Sequence, residues 1–137
     1  MAEPLIWTVR PAAQAVSDVR RRLRCECHGL SDAVLDDAML LTSELVTNAI
    51  RHGRGEVTVR LWPGPPTIRL EVSDQNPRAP AMRDTDVEAE QGRGLAIVDA
   101  LSDRWGSAPP PPPAGKTVWF ELDDQASVPP VSQRPAR

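Results

Sequence analysis

At 137 residues the chain lies within the range of one domain and is long enough to bury a single core. Its 19 Asp and Glu outnumber its 16 Lys and Arg, and no basic tract interleaved with aromatic residues is present, which argues against nucleic acid as a primary partner. MAEPLIWTVRP lacks the basic start and apolar run of a leader, and no run of about 18 apolar residues follows, so a cytoplasmic protein without a membrane partner is expected.

WTVR reads as a short strand. Pro11 then opens a helix in which Ala12, Ala15, Val16, Val19 and Leu23 recur at helical spacing, and Gly29 ends it. In RCECHG, Cys25, Cys27 and His28 lack a fourth ligand and a second cluster, so reduced structural cysteines are preferred to a metal site. A bridge between the two would close too short a loop for ordinary geometry.

Ser31 is a suitable N-cap for a second helix that runs to about His52. Asp32, Asp36 and Asp37 lie in its first two turns and Arg51 and His52 in its last, complementing the helix dipole. Gly53 and Gly55 stop it. EVTVRLW and TIRLEVSD alternate, with Val57, Val59 and Leu61 on one side of the first and Ile68, Leu70 and Val72 on one side of the second, and the Pro-Gly-Pro-Pro run at 63–66 makes them a hairpin. Residues 75–91 show no sustained period and read as a long loop of the kind that carries function.

A third helix is expected after Gly94 within GRGLAIVDALSDRWG. The final strand, KTVWFELD, sets Val118, Phe120 and Leu122 against Thr117, Trp119 and Glu121. Between them, the five prolines of APPPPPAG favour an extended, solvent-facing connector, with a docking site for a proline-binding domain as the alternative. The tail from Gln125 to Arg137 is too poor in large apolar residues to fold alone, which puts the domain at residues 1–124. The element order β-α-α-β-β-loop-α-β gives an α+β fold, a two-layer sandwich whose mixed sheet is covered on one face by three helices.

At about 100° per residue, Leu35, Met39, Leu45, Val46, Ala49 and Ile50 form the core side of the second helix. Glu44, Asn48 and Arg51, at i, i+4 and i+7, share a narrow arc opposite, flanked by Leu40 and Leu41. Such a stripe is either the wall of a cleft or an ordinary solvated face. Gly92-Arg93-Gly94 before a helix suits an anion, because glycine lets backbone N–H groups approach and the dipole favours negative charge, although glycines there also serve as plain turn residues. Asp74, which closes an alternating strand, is either an acceptor for a ligand amine or a turn-former.

These pieces occur in one order that resembles a known family. SELVTNAIRH is similar to the N-box, VSDQNP to a divergent first glycine box, GRGLAIVDALSDRWG to the second, and GKTVWFEL to the closing strand of the GHKL, or Bergerat-type, ATP-binding fold. The chain resembles most the anti-sigma-factor serine/threonine kinases, in the short single-domain form numerous in actinobacteria, from about residue 5 to 123.

The resemblance implies ATP and magnesium as cofactors. It implies Asn48 as the magnesium ligand, an amide oxygen suiting a hard cation, and Glu44 as the general base one turn away. It implies Asp74 as acceptor for the exocyclic amine of adenine, Gly92 and Gly94 as phosphate-binding glycines, Arg93 as added positive charge, and Thr117 as a residue near the adenine. Arg51 and Leu95 complete the set of nucleotide-binding residues. With Lys116 the only lysine, other cationic help falls to arginine.

Where the family's first box has glycine two residues after the aspartate, this chain has Asn76 followed by Pro77. Asparagine tolerates left-handed backbone angles, whereas Pro77 fixes φ and removes a donor. The partners implied are a sigma factor and an anti-anti-sigma protein, with a homodimer as the assembly. The first-box departure motivates an alternative, a protein-interaction module that regulates its partner by binding alone. A histidine kinase catalytic domain is disfavoured because no helix pair carries a phospho-accepting histidine, His28 and His52 being at helix ends, and a gyrase-type clamp because no transducer domain is evident.

Overall fold

The computed structural model describes residues 3–76, 89–108 and 115–124, with only the backbone for 89–94. In chain order it contains β1 (Leu5–Val9), α1 (Ala15–Glu26), α2 (Asp32–His52), β2 (Val57–Trp62), β3 (Thr67–Asp74), α3 (Ala89–Leu101), β4 (Arg104–Ala108) and β5 (Lys116–Asp123). The strands form one sheet in the order β1-β2-β3-β5-β4. The expected α+β architecture of two layers is present, with three helices on one face. The sheet, expected to be mixed, is antiparallel at every pairing, because each neighbouring pair of strands runs in opposite directions through a hairpin or a return across the helices.

Strand alternation decides which side chains enter the core. Val57, Val59 and Leu61 of β2, Ile68, Leu70 and Val72 of β3, and Val118, Phe120 and Leu122 of β5 are buried. Register stacks them in rows, Leu61 opposite Leu70 and Leu70 opposite Phe120. Each such side chain contributes about 1.5–3 kcal/mol by leaving water. The helices complete the core through Ala15, Val19 and Leu23 of α1, Leu41, Leu45 and Val46 of α2, and Val98 of α3. On the far face of the sheet, Arg69 stacks on Trp119 at 4.2 Å and pairs with Glu71 at 2.9 Å and Glu121 at 2.8 Å.

Ser31 caps α2 as expected, its Oγ accepting from the Val34 N–H at 3.3 Å, and the helix ends at His52. Other boundaries differ from the sequence reading. Ala12 is exposed and belongs to a turn closed by the Ala15 N–H donating to the Ala12 carbonyl at 3.0 Å, so α1 starts at Ala15 and not at Pro11. Leu41, expected beside the polar stripe, is fully buried, while its neighbour Leu40 is exposed.

The third helix begins at Ala89, ahead of Gly92 and Gly94, because Ala89, Glu90 and Gln91 are strong helix formers and carry the helix through the glycines. RWG, read as the end of that helix, instead opens β4, where Trp105 pairs with Phe120 of β5. The expected polyproline connector at 109–113, most of the expected loop, at 77–88, and the tail from Gln125 lie outside the described residues.

Candidate functional site

α2 crosses the sheet with Leu45 and Ala49 buried beneath it, which fixes the rotation of its other side chains. Glu44 and Asn48, one turn apart, are half-buried, whereas Arg51 and His52 in the last turn are exposed. The helix therefore presents its carboxylate and carboxamide at the border of the core and not in open solvent. Its helical neighbours are α1 and α3.

β3 delivers Asp74 to the end of this helix. Strand alternation turns Asp74 to the buried face with Val72, and opposite it in register stands Lys116, the first residue of β5, on the same face as Val118. Both are nearly out of water, Asp74 at 6 % and Lys116 at 8 % exposure. The Lys116 Nζ lies 2.9 Å from Oδ2 and 3.1 Å from Oδ1 of Asp74, spanning both carboxylate oxygens. Pairing is what allows a charge to be buried here.

The chain after Asp74 is stitched to the end of α2. The Asn76 N–H donates to Asp74 Oδ1 at 2.7 Å, and the Gln75 N–H donates to the Arg54 carbonyl at 2.8 Å. The Asn76 side-chain amide donates to the His52 carbonyl at 2.7 Å, satisfying one of the acceptors that a helix end leaves open. No described non-glycine residue has positive φ, so Asn76 does not adopt the left-handed conformation its type permits; it fixes this corner through its side chain. Gly53 and Gly115 pack against the same aspartate: a Cβ on Gly53 would fall 2.7 Å from Asp74 Oδ2, and one on Gly115 would fall 2.3 Å from the Asp74 carbonyl oxygen.

A cavity of about 20 Å³ lies at this junction, lined by Leu45, Asn48, Ala49, His52, Val72, Asp74, Lys116 and Val118. Two of the residues singled out in the sequence, Asn48 and Asp74, thus meet at one place. The Asn48 Nδ2 is buried without a hydrogen-bond partner among the described residues. An amide can present nitrogen or oxygen by a half-turn, so this group fits an anionic oxygen in one orientation and a hard cation in the other. A carboxylate and a carboxamide thus face one small cavity, and they are of the types that accept from a base amine and hold a hard cation.

The remaining sequence-derived residues are placed as follows. Glu44 stands one turn before Asn48 and is not part of the cavity wall, and neither is Arg51. Gly92, Arg93 and Gly94 lie in the first two turns of α3, and Leu95 follows them as a buried residue. Thr117 projects from the sheet face opposite Asp74, where its hydroxyl is 2.7 Å from that of Ser73. Lys116 and His52 were not singled out as site residues in the sequence, yet both line the cavity. The signal for Lys116 was the alternation that put Val118, Phe120 and Leu122 inward, since the same period sends Lys116 inward and Thr117 outward.

Comparison with known proteins gives three findings. A family model described as a histidine kinase-like ATPase domain matches residues 9–122. An uncharacterized protein of Streptomyces coelicolor is 42 % identical over 69 residues, a match covering 47 % of this chain and 66 % of that protein. The crystal structure of the RsbU and RsbW domains of Rv1364c from Mycobacterium tuberculosis superposes with a TM-score of 0.66 at 23 % identity, covering 90 % of this chain and 32 % of the other. This chain thus spans less than two thirds of the relative and about a third of the solved chain. Among the described residues, no helix is long and apolar enough to cross a membrane.

Proposed function

The chain belongs to the histidine kinase-like ATPase domain family, and from that premise we propose that it binds Mg-ATP, phosphorylates a serine or threonine on an anti-anti-sigma antagonist, and sequesters a sigma factor. The observation that supports this most is the convergence of Asn48 and Asp74 on one cavity, with the Asn48 Nδ2 buried and without a hydrogen-bond partner among the described residues. A homodimer and a cytoplasmic location are part of the same proposal.

Each residue has a role that its chemistry suits. Asn48 holds the magnesium through its amide oxygen. Asp74 accepts from the exocyclic amine of the adenine. Gly92 and Gly94, without side chains in the first two turns of α3, would let the phosphates come close to the positive end of that helix, with Arg93, Arg51 and Leu95 around them. Mg-ATP supplies the phosphoryl group and, through the metal, offsets charge on its oxygens. Glu44 takes the proton from the acceptor hydroxyl at its carboxylate oxygen, a role that its place at the border of the core permits. Thr117, across the sheet from Asp74, is given no contact with the base.

A second reading, an interaction module that regulates its partner by contact alone, draws on a specific observation. Asp74 is already engaged by Lys116, and the cavity holds about one water. Incubation with γ-labelled ATP and an anti-anti-sigma protein separates the two. Transfer by the wild type and a loss of about 100-fold or more in Glu44→Ala are expected for the kinase. Transfer that persists in Glu44→Ala removes the base assigned here, and absence of transfer by a wild type that binds its partner favours the interaction module.

A further inference from the structure

We propose that Lys116 is an internal competitor for the nucleotide base, its ammonium sitting on Asp74 where the exocyclic amine of the base goes, so that the base enters only when the lysine leaves. The proposal rests on the nucleotide-binding reading above and adds to it the step that controls entry.

Three observations carry it. First, the acceptor is filled: Asp74 Oδ1 receives Lys116 Nζ at 3.1 Å and the Asn76 N–H at 2.7 Å, and Oδ2 receives Nζ at 2.9 Å. The remaining side of Oδ2 faces Gly53, whose Cβ position is only 2.7 Å away. With three acceptor positions of the carboxylate taken and Gly53 close to Oδ2, a donor as bulky as a purine amine competes with the lysine for this group.

Second, the space is filled. The cavity beside Asp74 measures about 20 Å³, room for about one water. Lys116 forms part of the cavity wall together with Asp74 and Val118. Withdrawing that side chain removes one wall of the cavity and leaves the strands in place.

Third, the group is suited to leaving. An ammonium on a four-carbon stem is a flexible point charge, unlike a guanidinium fork. Lys116 is the first residue of β5 and the only lysine in the chain, whereas every other basic side chain apart from its two histidines is arginine. Displacement exchanges one donor on Asp74 for another, so the carboxylate is never left buried and unpaired.

Apparent affinity is then the intrinsic affinity reduced by the fraction of molecules with the pair open. A minor open state populated at about 0.1–10 % predicts that Lys116→Ala binds Mg-ATP about ten- to a thousandfold more tightly than the wild type by calorimetric titration. Magnesium tripolyphosphate, which has no base, gains nothing from the substitution. A second readout needs no variant: the sole lysine is acylated with an N-hydroxysuccinimide ester, and its modification is followed by mass spectrometry of its peptide. Saturating Mg-ATP raises the rate of acylation, because the amine is released to solvent.

Tighter binding by Lys116→Ala, or faster acylation with Mg-ATP, supports the competitor. Binding by the wild type accompanied by protection of Lys116, or weaker binding by a folded Lys116→Ala, overturns it and makes the lysine a direct contact of the nucleotide, leaving the nucleotide site itself intact. Absence of Mg-ATP binding by both proteins overturns the nucleotide site and the competitor together.

Discussion

Gly53 and Asp74 touch so closely that a Cβ on the glycine would lie 2.7 Å from the aspartate Oδ2 and 2.3 Å from the Ala49 carbonyl oxygen. The end of α2 and the end of β3 are therefore joined through a residue without a side chain. Gly53→Ala is expected to cost about 1–3 kcal/mol through overpacking. Urea unfolding reads this as a lower midpoint at unchanged slope. An unchanged midpoint would show that the aspartate moves aside freely.

Ser31 and Asp124 hold the other end of α2. The Ser31 N–H donates to Asp124 Oδ2 at 2.8 Å, and Asp124 is fully buried. Ser31→Ala removes the side-chain cap at about 1 kcal/mol. Asp124→Ala leaves a part-buried N–H without its acceptor and is expected to cost more, about 1–3 kcal/mol from that group alone. Comparison of the two by thermal unfolding checks the order, and a smaller loss for Asp124→Ala would contradict it.

Acid should weaken the outer face of the sheet. Hydrogen bonds from Arg104 hold Asp123 below its ordinary 3.8 and, with Arg69, hold Glu121 below its ordinary 4.5. Carboxylates with lowered values in the folded chain stabilise it above their ordinary values, and that contribution is lost as pH falls through the folded ones. The unfolding temperature is expected to hold from neutrality to about pH 5 and to fall below it, with a shallower fall in Arg104→Ala. Equal acid slopes in the two proteins would remove Arg104 as the cause.

The two cysteines should differ in reactivity. Both are free; Cys25 is exposed and Cys27 is buried. Burial first, and then the nearby charge of Glu26, pushes the Cys27 thiol up to about 11. At pH 8 a disulfide reagent is expected to titrate one thiol quickly and the second only on unfolding, since the thiolate is the reactive form. Two fast thiols would place Cys27 at the surface.

What the sequence disclosed was set by how local its causes are. Val57, Val59, Leu61 and Ile68, Leu70, Val72 announce their strands by period alone, and Ser31 announces a helix start through its own side chain. β4 is not legible in the sequence because RWGSA carries no alternation of its own and becomes a strand by pairing with Phe120 and its neighbours. The start of α3 is hidden in the sequence because Gly92 and Gly94 resemble a helix boundary, while Ala89, Glu90 and Gln91 before them already favour the helix. Within the site, Asn48 was legible from helical spacing. The pairing of Asp74 with Lys116 depends on strand register across 42 residues, which no local pattern specifies. The inward turn of Lys116 and the outward turn of Thr117 were nonetheless implicit in the alternation of β5.

Calorimetric titration of the wild type and of Asn48→Ala with Mg-ATP tests the central claim most directly, because Asn48 lines the cavity with an Nδ2 that has no hydrogen-bond partner among the described residues. A nucleotide site at the junction of α2, β3 and β5 predicts binding by the wild type and a loss of about tenfold or more in the variant, the size expected for a charge-assisted contact of about 1.5–3 kcal/mol. Equal affinity in a folded Asn48→Ala would contradict it.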